Sequence, residues 1–160
     1  MTGTRLFVAV FPSEEARDHL RRRLPAQAAR RPDKWHVTLA FLGDVPEAPV
    51  VETLSAVPAP GPLTLRVAGS GRFGSVVWAG LVGDLEPLLA FREHVRVALA
   101  GAGFPIDGRP FQPHLTISYR FDRRVSAALA DYAGPSWQVS EFSLVGSVDG
   151  EYHRRWSGLL

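Results

Sequence analysis

Two short segments in opposite halves of the chain share one pattern, and they constrain the fold more than any other feature. Residues 36–39 read His-Val-Thr-Leu and residues 114–117 read His-Leu-Thr-Ile, about half of the 160-residue chain apart. Each lies in a run of β-forming residues that we predict to be a strand, over 35–42 and 113–119. The pairing indicates two similar strand-containing halves, although the surrounding residues do not align as a full repeat.

The alternation of a strand gives the first segment two different faces. Successive side chains point to opposite sides of a strand, so we expect His36 and Thr38 to share one face. Val37, Leu39 and Phe41 are then expected on the other face, where their apolar side chains can anchor the strand in a core.

The second segment follows the same rule. His114, Thr116 and Ser118 are predicted on one face, opposite the apolar Leu115 and Ile117. If the two halves pack with approximate two-fold symmetry, two imidazoles and two threonine hydroxyls converge on one small space.

The rest of the chain predicts alternating short strands and helices. Further strands are predicted over 5–11, 63–68, 75–81, 137–148 and 152–158, and helices over 14–24, 46–57, 85–100 and 123–132. The turn Asp149-Gly150 between the last two strands is a strong type I′ hairpin signal. Strands that follow one another directly favour an α+β fold with antiparallel sheets, in two pseudo-symmetric lobes with outer helices and a cleft between them.

Composition excludes several classes of protein. The chain is 46% hydrophobic and 21% charged with a net charge of +2, which is typical of one folded domain over residues 1–160. The absence of cysteine excludes disulfides, thiolate metal sites and a cysteine nucleophile. We expect a cytoplasmic protein, because the sequence shows neither a membrane-spanning apolar run nor a secretory signal. We also expect it to be a monomer.

Paired histidines and threonines suit the hydrolysis of a phosphodiester. Imidazole titrates near neutral pH, so one histidine can act as base while the other acts as acid. Two hydroxyls can bind the non-bridging oxygens as charge develops on them. A strained five-membered cyclic phosphate on ribose needs neither a metal ion nor another cofactor, and the sequence holds no HExxH motif or cysteine pair. The residues alone do not say which histidine is the acid.

Over nearly its whole length the chain resembles the RNA 2′,3′-cyclic phosphodiesterases, or 2′-5′ RNA ligase-like proteins, of the two-histidine phosphoesterase superfamily. The resemblance rests on the paired His-x-Thr-x tetrapeptides and on four flanking segments. Those segments are RLFVAVFPSEE from residue 5, SVVWAGL at 75–81, GFPIDGRPFQPHLTIS at 103–118 and SEFSLVGS at 140–147.

The resemblance implies specific roles. His36 would be the proton donor to the departing ribose 3′ oxygen, and His114 would be the proton acceptor that activates water. Thr38 and Thr116 would bind phosphate oxygens. The substrates would be RNA ends or nucleotides with a 2′,3′-cyclic phosphate, the product a 2′-phosphomonoester, and 2′-5′ RNA ligation a side activity.

At one position the chain departs from this family. Members usually carry an arginine five residues after the second histidine, where this chain has Tyr119. Arg120 follows, and simple alternation places it on the His114 face, where it can bind phosphate or serve only as a solvated cation. Arg109 matches the family within the loop before the second motif.

Two other functions stay open at this point. One is a phosphoesterase that acts on another small cyclic nucleotide, since residues outside the tetrapeptides select the substrate. The other is a non-catalytic RNA-binding protein that keeps the groove, and the intact histidines of both motifs argue against it.

Overall fold

The computed structural model describes residues 4–107 and 110–160, so Arg109 lies outside the described residues. The strands are β1 (Arg5–Val10), β2 (Val37–Gly43), β3 (Leu63–Phe73), β4 (Val76–Gly83), β5 (His114–Ser118), β6 (Ala133–Val139), β7 (Glu141–Val148) and β8 (Glu151–Leu159). The α-helices are α1 (Glu14–Arg23), α2 (Glu47–Ser55), α3 (Leu85–Gly101) and α4 (Arg123–Leu129). Two short 3₁₀ helices, Ala26–Ala28 and Pro32–Lys34, separate α1 from β2.

The strands form two four-stranded antiparallel sheets. The first has the order β2-β1-β7-β8 and the second the order β5-β4-β3-β6. The two motif strands, β2 and β5, therefore occupy equivalent edges of their sheets, and these two edges contact each other. This arrangement confirms the predicted α+β fold of two antiparallel lobes.

One large apolar core connects the two lobes. The largest cluster of buried side chains includes Leu6 and Val8 of the first sheet together with Leu65 and Val67 of the second. Burial of apolar surface is the main stabilising contribution to folding, so the shared core fixes the two sheets relative to each other. No helix in the described part of the chain has both the length and the apolarity to cross a bilayer.

Helix α1 reinforces the junction between the lobes. Its first turn is capped by Ser13, whose Oγ accepts a hydrogen bond from the Ala16 amide at 3.1 Å. At the other end, Arg23 Nη2 lies 2.8 Å from Asp131 Oδ1 of the second lobe. His19 Nδ1 lies 2.7 Å from the Tyr132 hydroxyl, so this histidine forms a contact between the lobes.

The terminal hairpin confirms one prediction and corrects another. Asp149 and Gly150 both have positive φ, at 51° and 79°, as a type I′ turn requires. The predicted strand over 137–148 is wrong, because it is two strands in different sheets that separate at Ser140. Ser140 and Glu141 are both exposed, which interrupts the alternation of buried and exposed residues where the chain passes from one lobe to the other.

Candidate active site

A cavity of about 750 Å³ lies between the edge strands of the two lobes. All five residues proposed from the sequence line it, namely His36, Thr38, His114, Thr116 and Arg120. A cleft of this size accommodates a nucleotide-sized ligand.

Backbone contacts orient His36 at the entrance to β2. Its flanking residues Trp35 and Val37 are buried and hold the segment in the core. The imidazole Nδ1 lies 2.7 Å from the carbonyl oxygen of Lys34, at the end of the second 3₁₀ helix. Because a carbonyl only accepts hydrogen bonds, Nδ1 carries the proton and Nε2 is the atom that gains or loses one. Nε2 lies 2.9 Å from Thr38 Oγ1.

His114 repeats this arrangement in the second lobe. Its Nδ1 lies 2.6 Å from the carbonyl oxygen of Gln112, again two residues earlier in the chain. Nδ1 therefore donates, and Nε2 is again the nitrogen that carries no proton in the neutral ring. Both motifs thus present an imidazole with the same fixed tautomer.

Aromatic rings surround both imidazoles. Phe7, Phe11 and Tyr152 pack around His36, with ring centroids 4.8, 6.0 and 5.5 Å away. Phe73 and Trp78 contact His114 at 5.3 and 5.6 Å. The sequence analysis did not assign Phe11 and Tyr152 to the site, and Tyr152 comes from the hairpin at the opposite end of the chain.

This enclosure changes the acidity of His36. Burial is the main cause that lowers its pKa, and a positive charge on His114 lowers it further. The hydrogen bond to the Lys34 carbonyl acts in the opposite direction. In the empty cleft the neutral imidazole is favoured, and once protonated, His36 is a stronger proton donor than free histidine.

We expect an NMR titration to place the pKa of His36 below its ordinary value of 6.5. Replacing His114 by alanine removes a positive neighbour, so the pKa of His36 should rise but stay below 6.5, because burial is the larger cause. Inorganic phosphate should also raise it, since a bound anion stabilises imidazolium. The control His153→Ala should leave it unchanged, and a midpoint at or above 6.5 in the empty protein would contradict this account.

A bulge in β2 corrects the predicted face of Phe41. Opposite β1, Thr38 pairs with Ala9 and Ala40 pairs with Val8, so Leu39 is an extra residue. Leu39 and Ala40 are both buried, and the next side chain, Phe41, turns into the cleft, where it is 57% exposed. Strict alternation had placed Phe41 with the core residues.

A second bulge lies at the equivalent place in β5. Thr116 pairs with Trp78 but Ser118 pairs with the buried Val77, so Ile117 is the extra residue. Despite this bulge Ser118 lines the same cavity as His114 and Thr116, as predicted, and Ile117 lines it as well. The Ser118 hydroxyl donates to the carbonyl of Arg120.

Positive charge dominates the cavity wall. Among the described lining residues five are cationic and none is acidic; the cations are Arg5, Arg30, Arg31, Lys34 and Arg120. Arg31 is paired with Asp33 and Glu151 at 3.0 and 2.9 Å, and it lowers the pKa of both carboxyl groups. The wall therefore attracts an anionic ligand such as phosphate.

A buried arginine that the sequence analysis missed links the two motifs. Arg92 lies on the buried face of α3, and its Nε donates to the carbonyl of Leu39 at 3.1 Å. Its Nη2 donates to the carbonyl of Asp107 at 3.1 Å, in the loop that leads to His114. One guanidinium therefore joins the β2 bulge to the loop of the second motif. The sequence does contain a sign of this role. Arg92 is a cation on a helix face whose other residues, including Phe91 and Val95, are apolar.

We expect Arg92→Met to lower kcat about tenfold, because small displacements of catalytic groups carry large costs in rate. Arg92→Lys should recover part of this loss. The control is Arg96→Met, one turn along α3, where the arginine pairs with the exposed Glu93. Steady-state kinetics on the folded proteins provides the measurement. A destabilised Arg92→Met with wild-type kcat would show that Arg92 supports only the fold.

Two edge strands that present paired imidazoles and hydroxyls across a basic cleft define a protein of the two-histidine phosphoesterase class. The model of the 2′-5′ RNA ligase superfamily matches residues 9–151, and the chain belongs to this superfamily.

Individual relatives agree with this assignment. An RNA 2′,3′-cyclic phosphodiesterase of Escherichia coli (strain K12) is 31% identical, covering 97% of this chain and 93% of that protein. One from Geobacillus stearothermophilus is 36% identical over 76% of this chain, which spans only 43% of that protein. The crystal structure of E. coli LigT complexed with 3′-AMP superposes with a TM-score of 0.78 at 26% identity, covering 99% of both chains.

Proposed function

We propose that this chain hydrolyses 2′,3′-cyclic phosphates, on RNA ends or on nucleotides, to 2′-phosphomonoesters. The observation that carries the proposal is the matched pair of histidines, each held through Nδ1 by a backbone carbonyl and each lining the same cavity. Two imidazoles whose Nδ1 atoms are bound to carbonyls, and whose Nε2 atoms can exchange a proton, supply the base and the acid that such a reaction needs. The names of the relatives from E. coli and G. stearothermophilus support the same substrate class.

In the proposed mechanism His114 is the base and His36 the acid. Nε2 of His114 takes a proton from water as the water oxygen bonds to phosphorus. The bond from phosphorus to the 3′ oxygen breaks on the opposite side, and Nε2 of His36 gives its proton to that oxygen. Water is thus added across one P–O bond, and the phosphate stays on the 2′ oxygen.

The hydroxyls and cations act on the phosphate itself. Thr38 and Thr116 donate to the non-bridging oxygens, whose negative charge grows in the transition state. Thr38 Oγ1 lies against Nε2 of His36 in the empty site, so a bound phosphate oxygen would replace that contact. Arg120 lies past the end of β5, and its guanidinium has no hydrogen bond or ion pair within the described residues, which leaves it available for phosphate.

The proposal extends to the state of the protein. Both histidines come from one chain, so we infer that a monomer is sufficient for activity. Because these residues supply the base, the acid and the anion donors, the reaction needs no metal ion or other cofactor. We infer a cytoplasmic location from the lack of cysteine and from the RNA substrate. The same acid and base would also allow 2′-5′ ligation as a side activity, with a 5′-hydroxyl in place of water.

The proposal is tested with 2′,3′-cyclic AMP and with a short RNA that ends in a 2′,3′-cyclic phosphate, each in the presence of EDTA. We expect ³¹P NMR to show a 2′-monophosphate as the only product. Activity on the nucleotide alone would favour a small-nucleotide phosphoesterase. Binding of RNA without turnover would favour a non-catalytic RNA-binding protein, and loss of activity with EDTA would contradict the metal-free mechanism.

A further inference from the structure

Exposed aromatic side chains concentrate beside His114. Four aromatic residues in the described part of the chain are classed as exposed, and three of them belong to the second lobe: Phe73 at 49%, Tyr119 at 72% and Phe121 at 45%. Exposed aromatic surface of this kind marks interaction sites more often than chance. We call Arg72, Phe73, Tyr119 and Phe121 the rim strip.

The rim strip is a continuous surface built from two segments. β3 ends at Phe73, and the turn after it is tied to the end of β5, because the Ser75 hydroxyl donates to the Tyr119 carbonyl at 2.9 Å. Phe73 stands edge-on to His114 at 5.3 Å, and Arg72 lies 4.0 Å from the centre of the Phe121 ring. The strip thus runs outward from the second histidine.

The charges and rings of the strip are those of a surface that binds single-stranded nucleic acid. Arg72 and the neighbouring Arg120 are cationic, whereas Asp122, the acid that follows Phe121 in the sequence, is paired with Arg124 at 3.3 Å. Aromatic rings combined with cations stack bases and attract the phosphate backbone.

The proposed mechanism determines which RNA segment can reach this strip. The leaving 3′ oxygen and its ribose lie on the His36 side of phosphorus, in line with the nucleophile. The nucleophile lies on the His114 side. When water is the nucleophile, no further ligand occupies the His114 side. When an RNA 5′-hydroxyl is the nucleophile, the rest of that RNA strand must extend out of the cleft past His114.

We propose that the rim strip binds the 5′-hydroxyl end of a second single-stranded RNA as the acceptor in a joining reaction; this rests on the proposed function. The 5′-hydroxyl gives its proton to Nε2 of His114 and its oxygen bonds to phosphorus. The bond to the 3′ oxygen breaks and that oxygen takes the proton of His36. The product is a 2′-5′ linkage, and no other reactant is needed.

The test is a joining assay between an RNA that ends in a 2′,3′-cyclic phosphate and a hexaribonucleotide with a 5′-hydroxyl and a blocked 3′ end. We expect Phe121→Ala to raise the KM for the hexamer about tenfold, the loss expected for one stacked base. Phe121→Trp should stay within twofold of wild type, because it keeps a ring for stacking. The control is Leu159→Ala, which removes an exposed apolar side chain of β8 in the first lobe that does not line the cavity, and which should leave the KM for the hexamer within twofold.

Hydrolysis of 2′,3′-cyclic AMP separates this inference from the proposed function. Phe121 does not line the cavity, so Phe121→Ala should hydrolyse the nucleotide at the wild-type rate. If the wild-type protein hydrolyses the nucleotide but does not join the two RNAs, the inference is overturned alone. The same holds if Phe121→Ala changes the KM for the hexamer no more than Leu159→Ala does. If the wild-type protein does not hydrolyse the nucleotide, the proposed function fails and the acceptor role fails with it.

Discussion

Replacing either His36 or His114 by alanine is expected to lower the turnover of a 2′,3′-cyclic nucleotide about a thousandfold. Each variant loses one proton-transfer group, and positioned acids and bases contribute rate factors of this order. The remaining activity should also reveal the two roles. Without the acid His36, the rate should no longer fall at high pH. Without the base His114, it should no longer rise from low pH.

The control for this pair is His94→Ala, which removes an exposed histidine on α3 and should keep wild-type turnover. Binding of a non-hydrolysable RNA should change little in the two active-site variants, because the cationic wall remains. Turnover within tenfold of wild type in either variant would exclude an essential acid and base pair. If the two pH profiles are exchanged, the roles of His36 and His114 are reversed.

The threonines are expected to show the second largest effect, with Thr38→Val and Thr116→Val each lowering kcat about a hundredfold. Valine keeps the shape of threonine but cannot donate a hydrogen bond to a phosphate oxygen. Removing one donor to a developing negative charge has a cost of this order. The loss should appear mainly in kcat, since the charge on those oxygens is largest in the transition state.

Thr53→Val is the matched control for these variants. The Thr53 hydroxyl donates to the Pro49 carbonyl within α2 and does not line the cavity, so its loss should leave the kinetics unchanged. Circular dichroism should show that all three variants are folded. An equal effect on KM with no effect on kcat would mean that the threonines bind substrate and transition state equally.

Much of this architecture follows from short-range patterns. Apolar residues alternating with His and Thr predict two strands that each have one polar face, and the repeat of that pattern predicts their convergence. The structure brings His36 and His114 into one cavity. Their division into acid and base stays a prediction, because the two histidines have the same local geometry.

What the sequence did not predict depends on register and on contacts between distant segments. A bulge adds one residue without changing the composition of a strand, so nothing in the order of residues 37–43 shows that Phe41 turns into the cleft. The change of sheet at Ser140 leaves only a small sequence signal, the two consecutive polar residues Ser140 and Glu141, which does not show that the chain passes to the other sheet. Arg92 and Tyr152 reach the site through tertiary packing, which periodicity does not encode.

The central claim is that one phosphorus atom lies between the two imidazoles. It is tested most directly by a crystal structure of the protein with a bound 2′-nucleotide monophosphate. We predict that Nε2 of His36 and Nε2 of His114 both lie within about 3.2 Å of oxygens on that phosphorus, from opposite sides. A phosphate bound to only one imidazole, or bound outside the cleft with both rings free, would contradict the account.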